Sequence, residues 1–350
     1  MKKNIVVWVA VVLVLACKAK ENKAQNVKVD KIALEEVNAD FVMAFGSCNK
    51  TTMPNKLWDD VLKLHPNVWA WGGDIVYADT EDMNKLHKMY DAQNNVPAYV
   101  LLKENAPVIG TWDDHDYGLN DGGVNFSAKK ESQREFLDFM NVSKDSPRRK
   151  REGVYTSHLY KEPQGEVNVI VLDTRYFRTG LTKDTETEKK YKPNVYGEGT
   201  ILGENQWLWL QEELKNSKAD FNIILSSIQV LSNQHGFECW GNFPHEVDKL
   251  KEVIINSKAK GVILLSGDRH ISEFSKTTVE NLEYPLIDFT SSGLTHAYEE
   301  YIGEENAYRV ENVVFTESFG VLYFDFQHKK VQFQIRGDEG KILEKTEQWY

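Results

Sequence analysis

Short apolar runs of strand length recur along this chain, and nearly every one stops at a burst of polar, chemistry-bearing residues. The bursts are Gly46-Ser47-Cys48-Asn49, Gly73-Asp74-Ile75-Val76-Tyr77, Trp112-Asp113-Asp114-His115-Asp116, Leu172-Asp173-Thr174-Arg175, Ser226-Ser227-Ile228-Gln229 and Ser266-Gly267-Asp268-Arg269-His270. One Asp or Ser after a strand is ordinary turn or helix-cap chemistry. Six in succession, several with a glycine, point instead to strand ends that converge. Ligands in layered α/β folds sit just beyond the carboxyl ends of the strands, and glycine lets backbone pass close to them.

The runs that carry these bursts are residues 41–45, 68–71, 107–112, 167–172, 223–225 and 262–265. Helical spacing of apolar residues falls between them, at 55–64, 132–140, 205–214 and 245–257. Residues 321–326 and 331–335 flank His328-Lys329-Lys330, and the second run alternates Val331, Phe333 and Ile335 with Gln332 and Gln334, as in a half-exposed hairpin strand. Strands alternating with helices, with no repeat and no Pro/Gly-rich linker, predict one α/β catalytic domain over 41–350.

The first residues read as an address. Lys2 and Lys3 precede an apolar run over 5–16 that is too short to span a bilayer, the order of a secretory signal peptide. The run ends Val14-Leu15-Ala16-Cys17, which resembles a bacterial lipobox, with lipid on Cys17 and cleavage before it. Residues 17–40 then form a lipidated cysteine and a flexible tether. Leu15 stands where a small residue is usual, so a plain signal peptide is the alternative. The protein is expected to be exported, lipid-anchored to the bacterial cell envelope or else periplasmic or secreted, and monomeric. Its membrane contact is expected through the anchor alone.

A formal charge of −11 leaves no basic surplus for a nucleic-acid backbone, so no nucleic-acid role is expected. The single basic run, Arg148-Arg149-Lys150-Arg151, reads as a solvated loop. A protein this acidic that acts on anions must attract them by something other than net charge, and bound metal ions would supply that field. Asp74, Asp114 and Asp268 offer hard oxygens, Cys48 a thiolate and Tyr77 a phenolate. Thiolate, phenolate and imidazole suit a trivalent or borderline metal better than magnesium, while carboxylates with an amide such as Gln229 suit calcium. Two cations sharing a carboxylate clamp a phosphate and activate hydroxide. Apart from Cys17, the chain has only Cys48 and Cys239; these form a disulfide, or one of them binds a metal.

On these segments the chain resembles the PhoD-like (alkaline phosphatase D) family of exported metallophosphoesterases. The matching blocks are Phe45-Gly46-Ser47-Cys48, Gly73-Asp74 through Tyr77, Trp112-Asp113-Asp114-His115, Leu172-Asp173-Thr174-Arg175, Leu202-Gly203-Glu204-Asn205-Gln206-Trp207 and Gly267-Asp268-Arg269-His270, with Trp240 through Pro244 as an aromatic loop. Together they span about 41–297 in the expected order. Compared with other two-metal phosphoesterases, Cys48 replaces the opening Asp-x-His, Asp114-His115 the Asn-His pair, and Gly-Asp-Arg-His the Gly-His-x-His motif. A β-sandwich domain common ahead of the family's catalytic part is not expected here.

The resemblance implies a four-layer α/β/β/α sandwich of the metallophosphoesterase type that hydrolyses phosphate esters, as a phosphomonoesterase, a phosphodiesterase or both. It implies Fe(3+) on Cys48, Tyr77 and His270 with Asp74 shared, and Ca(2+) on Asp74, Asp114 and Asp268 with Gln229 or Ser227 completing the shell. Asn120 would complete a shell or touch phosphate, Arg175 and Arg269 would bind phosphate oxygens or form structural ion pairs, and Trp240 would line the substrate side. His115, fixed beside Asp114, is expected to protonate the leaving group.

His65, His87, His158 and His328 lie in no burst and carry no ligand expectation. Trp207 and Trp209 read as packing, Asp59-Asp60 as a helix surface and Cys239 as a packed side chain. The Gly-x-Ser-x-Gly elbow that a serine nucleophile at Ser47 would need is absent. The competing functional class is a non-catalytic binding lipoprotein on the same fold; retention of His115 beside the ligand set speaks against it.

Overall fold

The computed structural model describes residues 37–350; the signal-like run and Cys17 lie outside the described residues. In chain order the elements are β1 (Phe41–Gly46), α1 (Trp58–Lys63), β2 (Val68–Gly72), α2 (Met83–Asn94), α3 (Pro97–Asn105), β3 (Val108–Thr111), α4 (Asp114–Tyr117) and α5 (Lys129–Phe139). There follow β4 (Thr156–Glu162), β5 (Gly165–Val171), a small hairpin of β6 (Thr182–Lys183) and β7 (Tyr191–Lys192), α6 (Gly203–Asn216), β8 (Phe221–Leu225), α7 (Pro244–Ser257) and β9 (Val262–Ser266). The chain closes with β10 (Ser272–Thr277), β11 (Leu286–Ser291), β12 (Arg309–Val314), β13 (Phe319–Asp325), β14 (Lys330–Arg336) and β15 (Ile342–Trp349).

Side-chain alternation along the strands dictates the layering. In β1, Phe41, Met43 and Phe45 enter one apolar cluster and Ala44 another; in β2, Val68 and Ala70 join the first while Trp69 and Trp71 join the second. In the other sheet, Val167, Val169, Val171, Ile223 and Leu225 also face the first cluster, and Ile170, Ile224, Val262 and Leu264 face a third. The shared cluster is therefore the seam between a six-stranded sheet, ordered β15-β14-β13-β1-β2-β3, and a seven-stranded one, β12-β10-β11-β9-β8-β5-β4. Outside the first sheet, Trp69 and Trp71 pack on Trp58 of α1 and Trp71 on Tyr99 of α3, with ring centroids 5.1–5.7 Å apart. Outside the second, Leu210 and Leu214 of α6 and Leu250 and Ile254 of α7 cover Ile170, Ile224 and Leu264. The result is the expected four-layer α/β/β/α sandwich.

Three expectations need correcting. Cys48 and Cys239 are both free thiols, so they form no disulfide. Asp60 is buried, with Lys63 Nζ on its Oδ1 at 3.0 Å, and only Asp59 lies on the helix surface. The basic run is solvated only in part: Lys150 is exposed, while Arg148, Arg149 and Arg151 are half-buried. Arg149 donates to the carbonyl of Leu137 in the last turn of α5, the end of a helix that attracts cations, and to those of Val142 and Ser143 beyond it, and Arg151 lies 3.8 Å over the Tyr155 ring.

Candidate metal centre

The bursts meet because the strands that carry them run the same way. β1, β2 and β3 are parallel neighbours in one sheet, and β5, β8, β9 and β11 in the other. At four of the expected ligands the backbone is left-handed, with φ of 59° at Cys48, 50° at Asp74, 71° at Asp268 and 55° at His270. That conformation is uncommon for non-glycine residues, though Asp and His adopt it more readily than most, and here it falls on four residues of one site. Gly73 (φ 98°) has no alternative: a Cβ there would stand 2.5 Å from the Asp113 Cβ.

Cys48, Asp74, Tyr77 and His270 form one group. Asp74 Oδ2 accepts from Tyr77 Oη at 3.2 Å and lies 3.6 Å from Cys48 Sγ; Tyr77 Oη is 3.3 Å from His270 Nε2. Because a carbonyl only accepts, the 3.0 Å contact from His270 Nδ1 to the His296 carbonyl puts a proton on Nδ1 and turns Nε2 into the group. Burial raises the Cys48 thiol, but the His270 charge and hydrogen bonds from His270 and Ser292 outweigh it and bring it down to about 6. For His270 the order reverses: burial lowers it, and Cys48 lifts it to about 9.

A second group is made of carboxylates. Oxygens of Asp74, Asp113, Asp114 and Asp268 lie within 4.8 Å of one another. Burial, and then the charges of Cys48 and Asp114, push Asp74 well above the usual carboxylate range; burial with Asp113 and Asp114 does the same to Asp268. Asp114 is held near 2, because Arg175, His115, the Asp121 amide and Asn120 overcome its burial. Buried Asp113 Oδ2, Asp114 Oδ1 and Gln229 Oε1 have no hydrogen-bond partner. Crowded acids with orphaned oxygens are costly unless a cation sits among them. These donors fit metal ions, and Asp74 belongs to both groups.

His115 stands beside the carboxylates, its amide 3.3 Å from Asp74 Oδ1 and its Nδ1 held by Asp79 at 2.8 Å. Burial lowers its pKa, but the Asp79 bond and the Asp114 charge raise it to about 9. Asn120 donates to Asp114 Oδ2 at 2.8 Å. Gln229 uses its amide nitrogen on Glu273 and Thr290, at 2.8 and 2.9 Å, which leaves Oε1 available. Ser227 is occupied by Asp113 Oδ1 at 2.6 Å and by Thr174.

For three residues offered to substrate, the structure gives other partners. Trp240 is fully buried, its Nε1 bonded to Ser226 Oγ at 3.0 Å and its ring edge-on to Trp207, so it lines no substrate surface. Both arginines take the ion-pair alternative. Arg175, fully buried, joins Asp113 at 2.5 Å and Glu238 at 2.6 Å; Arg269 joins Glu304 at 2.5 Å and lies 4.1 Å over Phe237. Sequence reasoning missed Asp113 as a member of the acid cluster, Asp79 as the His115 partner, and Ser292 and His296 behind Cys48 and His270. The last two follow β11, whose burst Ser291-Ser292-Gly293 was the available signal.

A family model described as PhoD-like phosphatase matches residues 81–335. Alkaline phosphatase D of Bacillus subtilis (strain 168) is 21% identical over 240 residues, 61% of this chain and 40% of that protein. The match thus spans less than half the length of that relative. Among solved structures, PhoD superposes with a TM-score of 0.70 at 16% identity, covering 90% of this chain and 69% of its own. GAP50, the anchor in the inner membrane complex of Plasmodium, gives 0.57 at 11% identity, covering 89% of each chain. A dimetal phosphatase from Danio rerio gives 0.55 at 14%, covering 89% of this chain and 100% of its own. At these identities the structural likeness is one of fold.

Proposed function

The chain belongs to the PhoD-like phosphatase family, and on that premise we propose that it hydrolyses phosphate esters at the acid cluster. The observation that carries the proposal is the position of Asp74, common to the Cys48–His270 group and to the carboxylate group. A shared carboxylate is what two neighbouring cations require.

Cys48, Tyr77 and His270 with Asp74 would hold ferric iron, since thiolate and phenolate favour it; Asp74, Asp114 and Asp268, completed by Gln229 Oε1, would hold calcium. When bound, the cations neutralise the ester's oxygens and acidify a water.

The protein's own part is orientation and proton supply. His115 is the proton donor for the leaving oxygen; Asp79 fixes its Nδ1, and so the direction of its ring, and favours its charged form. Arg175 holds Asp113 and biases Asp114 toward its charged form. Asn120 and the Asp121 amide orient Asp114 Oδ2 and leave Oδ1 free.

We place this activity outside the cytoplasm, anchored by lipid on Cys17, on the strength of the N-terminal sequence. The test is a turnover panel of phosphomonoesters and phosphodiesters with calcium present, with the metals counted in the same preparation. Activity against either class, lost with the metals, supports the reading; a metal-loaded protein that turns over none overturns it.

A further inference from the structure

The site is rich in acids, and the cations around it are mostly spoken for. Arg175 and Arg178 are buried and held by Glu238, and Arg269 is held by Glu304. The β6–β7 hairpin brings another. Its Tyr191 amide donates to the Gly236 carbonyl at 2.8 Å, which seats the hairpin on the loop that carries Glu238. From there Lys190 pairs with Asp121, and Tyr191 Oη donates to the same Asp121 Oδ2 at 2.8 Å. Asp121 in turn donates its amide to Asp114 Oδ2 at 2.6 Å, and oxygens of Asp114, Asp121 and Glu238 lie within 4.8 Å of one another. The Lys190 ammonium is thus one residue removed from a carboxylate of the centre. Its side chain is 46% exposed, whereas Asp121 is 16% exposed.

We propose that Lys190 receives a non-bridging oxygen of the substrate's phosphoryl group and so favours dianionic monoesters over monoanionic diesters. The inference rests on the phosphoesterase reading above. A half-exposed ion pair is weak and easily exchanged. Lysine is also a compact point charge on a flexible stem with three donors, able to leave Asp121 for a stronger anion without unravelling anything. Arg175 lacks that freedom, because releasing it would strand the fully buried Asp113 and Glu238, whereas Asp121 keeps the Tyr191 hydroxyl when Lys190 leaves.

The test uses the full, metal-loaded chain with Lys190→Gln, Lys190→Arg and Tyr191→Phe. Three quantities are read: kcat/KM on an aryl monoester and an aryl diester, the affinity for inorganic phosphate by calorimetry, and metal content. Lys190→Gln should lose roughly tenfold on the monoester and about threefold or less on the diester, with phosphate binding weakened by a comparable factor. Metal content should hold and Lys190→Arg should restore most of the loss. The ester difference should shrink at 1 M salt, where charges are screened beyond about 3 Å. Equal losses on both esters, reproduced by Tyr191→Phe, would mean that Lys190 only steadies Asp121, and undiminished phosphate affinity would equally overturn the proposal. A wild type that turns over neither ester removes the phosphoesterase reading, while the calorimetric arm still decides Lys190.

Discussion

The imidazole of His115 lies against the phenol ring of Tyr77, their centroids 4.2 Å apart and their planes inclined by 32°. A residue from the proposed iron group therefore packs on the proposed acid, and Asp79 holds that acid by its Nδ1. The contact fixes the ring without neutralising its charge.

This arrangement sets the behaviour of His115→Ala. Alkyl phosphoesters, whose leaving oxygen needs a proton, should lose about 10²–10⁴-fold in kcat, while nitrophenyl esters lose far less and metal content holds. Equal loss on both with metal gone would make His115 a support for Asp114. In the wild type, alkyl-ester turnover should fall toward alkaline pH, as the imidazolium that the Asp79 bond favours gives up its proton. Asp79→Asn should move that limb downward.

Metal identity is checked by colour. A Cys48 thiolate with a Tyr77 phenolate on ferric iron should give a violet or brown protein, with iron near one per chain and calcium besides. A colourless, zinc-only, fully active preparation refutes the assignment. Cys48→Ala should lose the iron. Iron retention in the wild type should also weaken below about pH 6, as the thiol regains its proton.

Asp173 illustrates a burst residue whose work is structural. One oxygen accepts from Trp112 Nε1 and the amides of Arg175 and Tyr176, each at 2.9 Å, and the other from the Val154 amide at 2.9 Å. Asp173→Ala should cost about 3–5 kcal/mol in urea unfolding, because it leaves buried donors unpaired. A loss under 1 kcal/mol would contradict that account.

Anchoring is separable from catalysis. With lipid on Cys17 the protein should enter the detergent phase after membrane extraction, and Cys17→Ser should release it or leave it unprocessed. Wild type recovered as soluble protein, cleaved elsewhere, would favour the plain signal peptide.

How far the sequence could be read follows from how each element is stabilised. β1, β2, β5, β8 and β9 are buried on both faces and so are written as apolar runs. β10 and β11 are equally buried but hold Glu273 and Asp288, which are satisfied from distant residues: Asp288 accepts from the amides of Val230 and Leu231. No apolar run betrays such strands, and with them went Ser292 and His296. α2 escaped because only Leu86, Tyr90 and Gln93 are buried in an otherwise polar segment. For Trp240 and Arg175 the residue type was visible in the sequence; the direction of the side chain depends on neighbours far along the chain.

The seam between the sheets gives the centre a mechanical role. Cys48, Asp74 and Asp114 follow strands of one sheet, Asp268 and His270 a strand of the other. A cation gripped by both sets is a rivet through the sandwich at the edge where the strands stop and the apolar seam ends. Occupancy then feeds directly into cohesion of the two halves, by about 2.7 kcal/mol at a hundredfold excess over the dissociation constant. Chelation should accordingly loosen the whole molecule: amide exchange should quicken along β1, β2 and β9 together, well beyond the loops that hold the ligands.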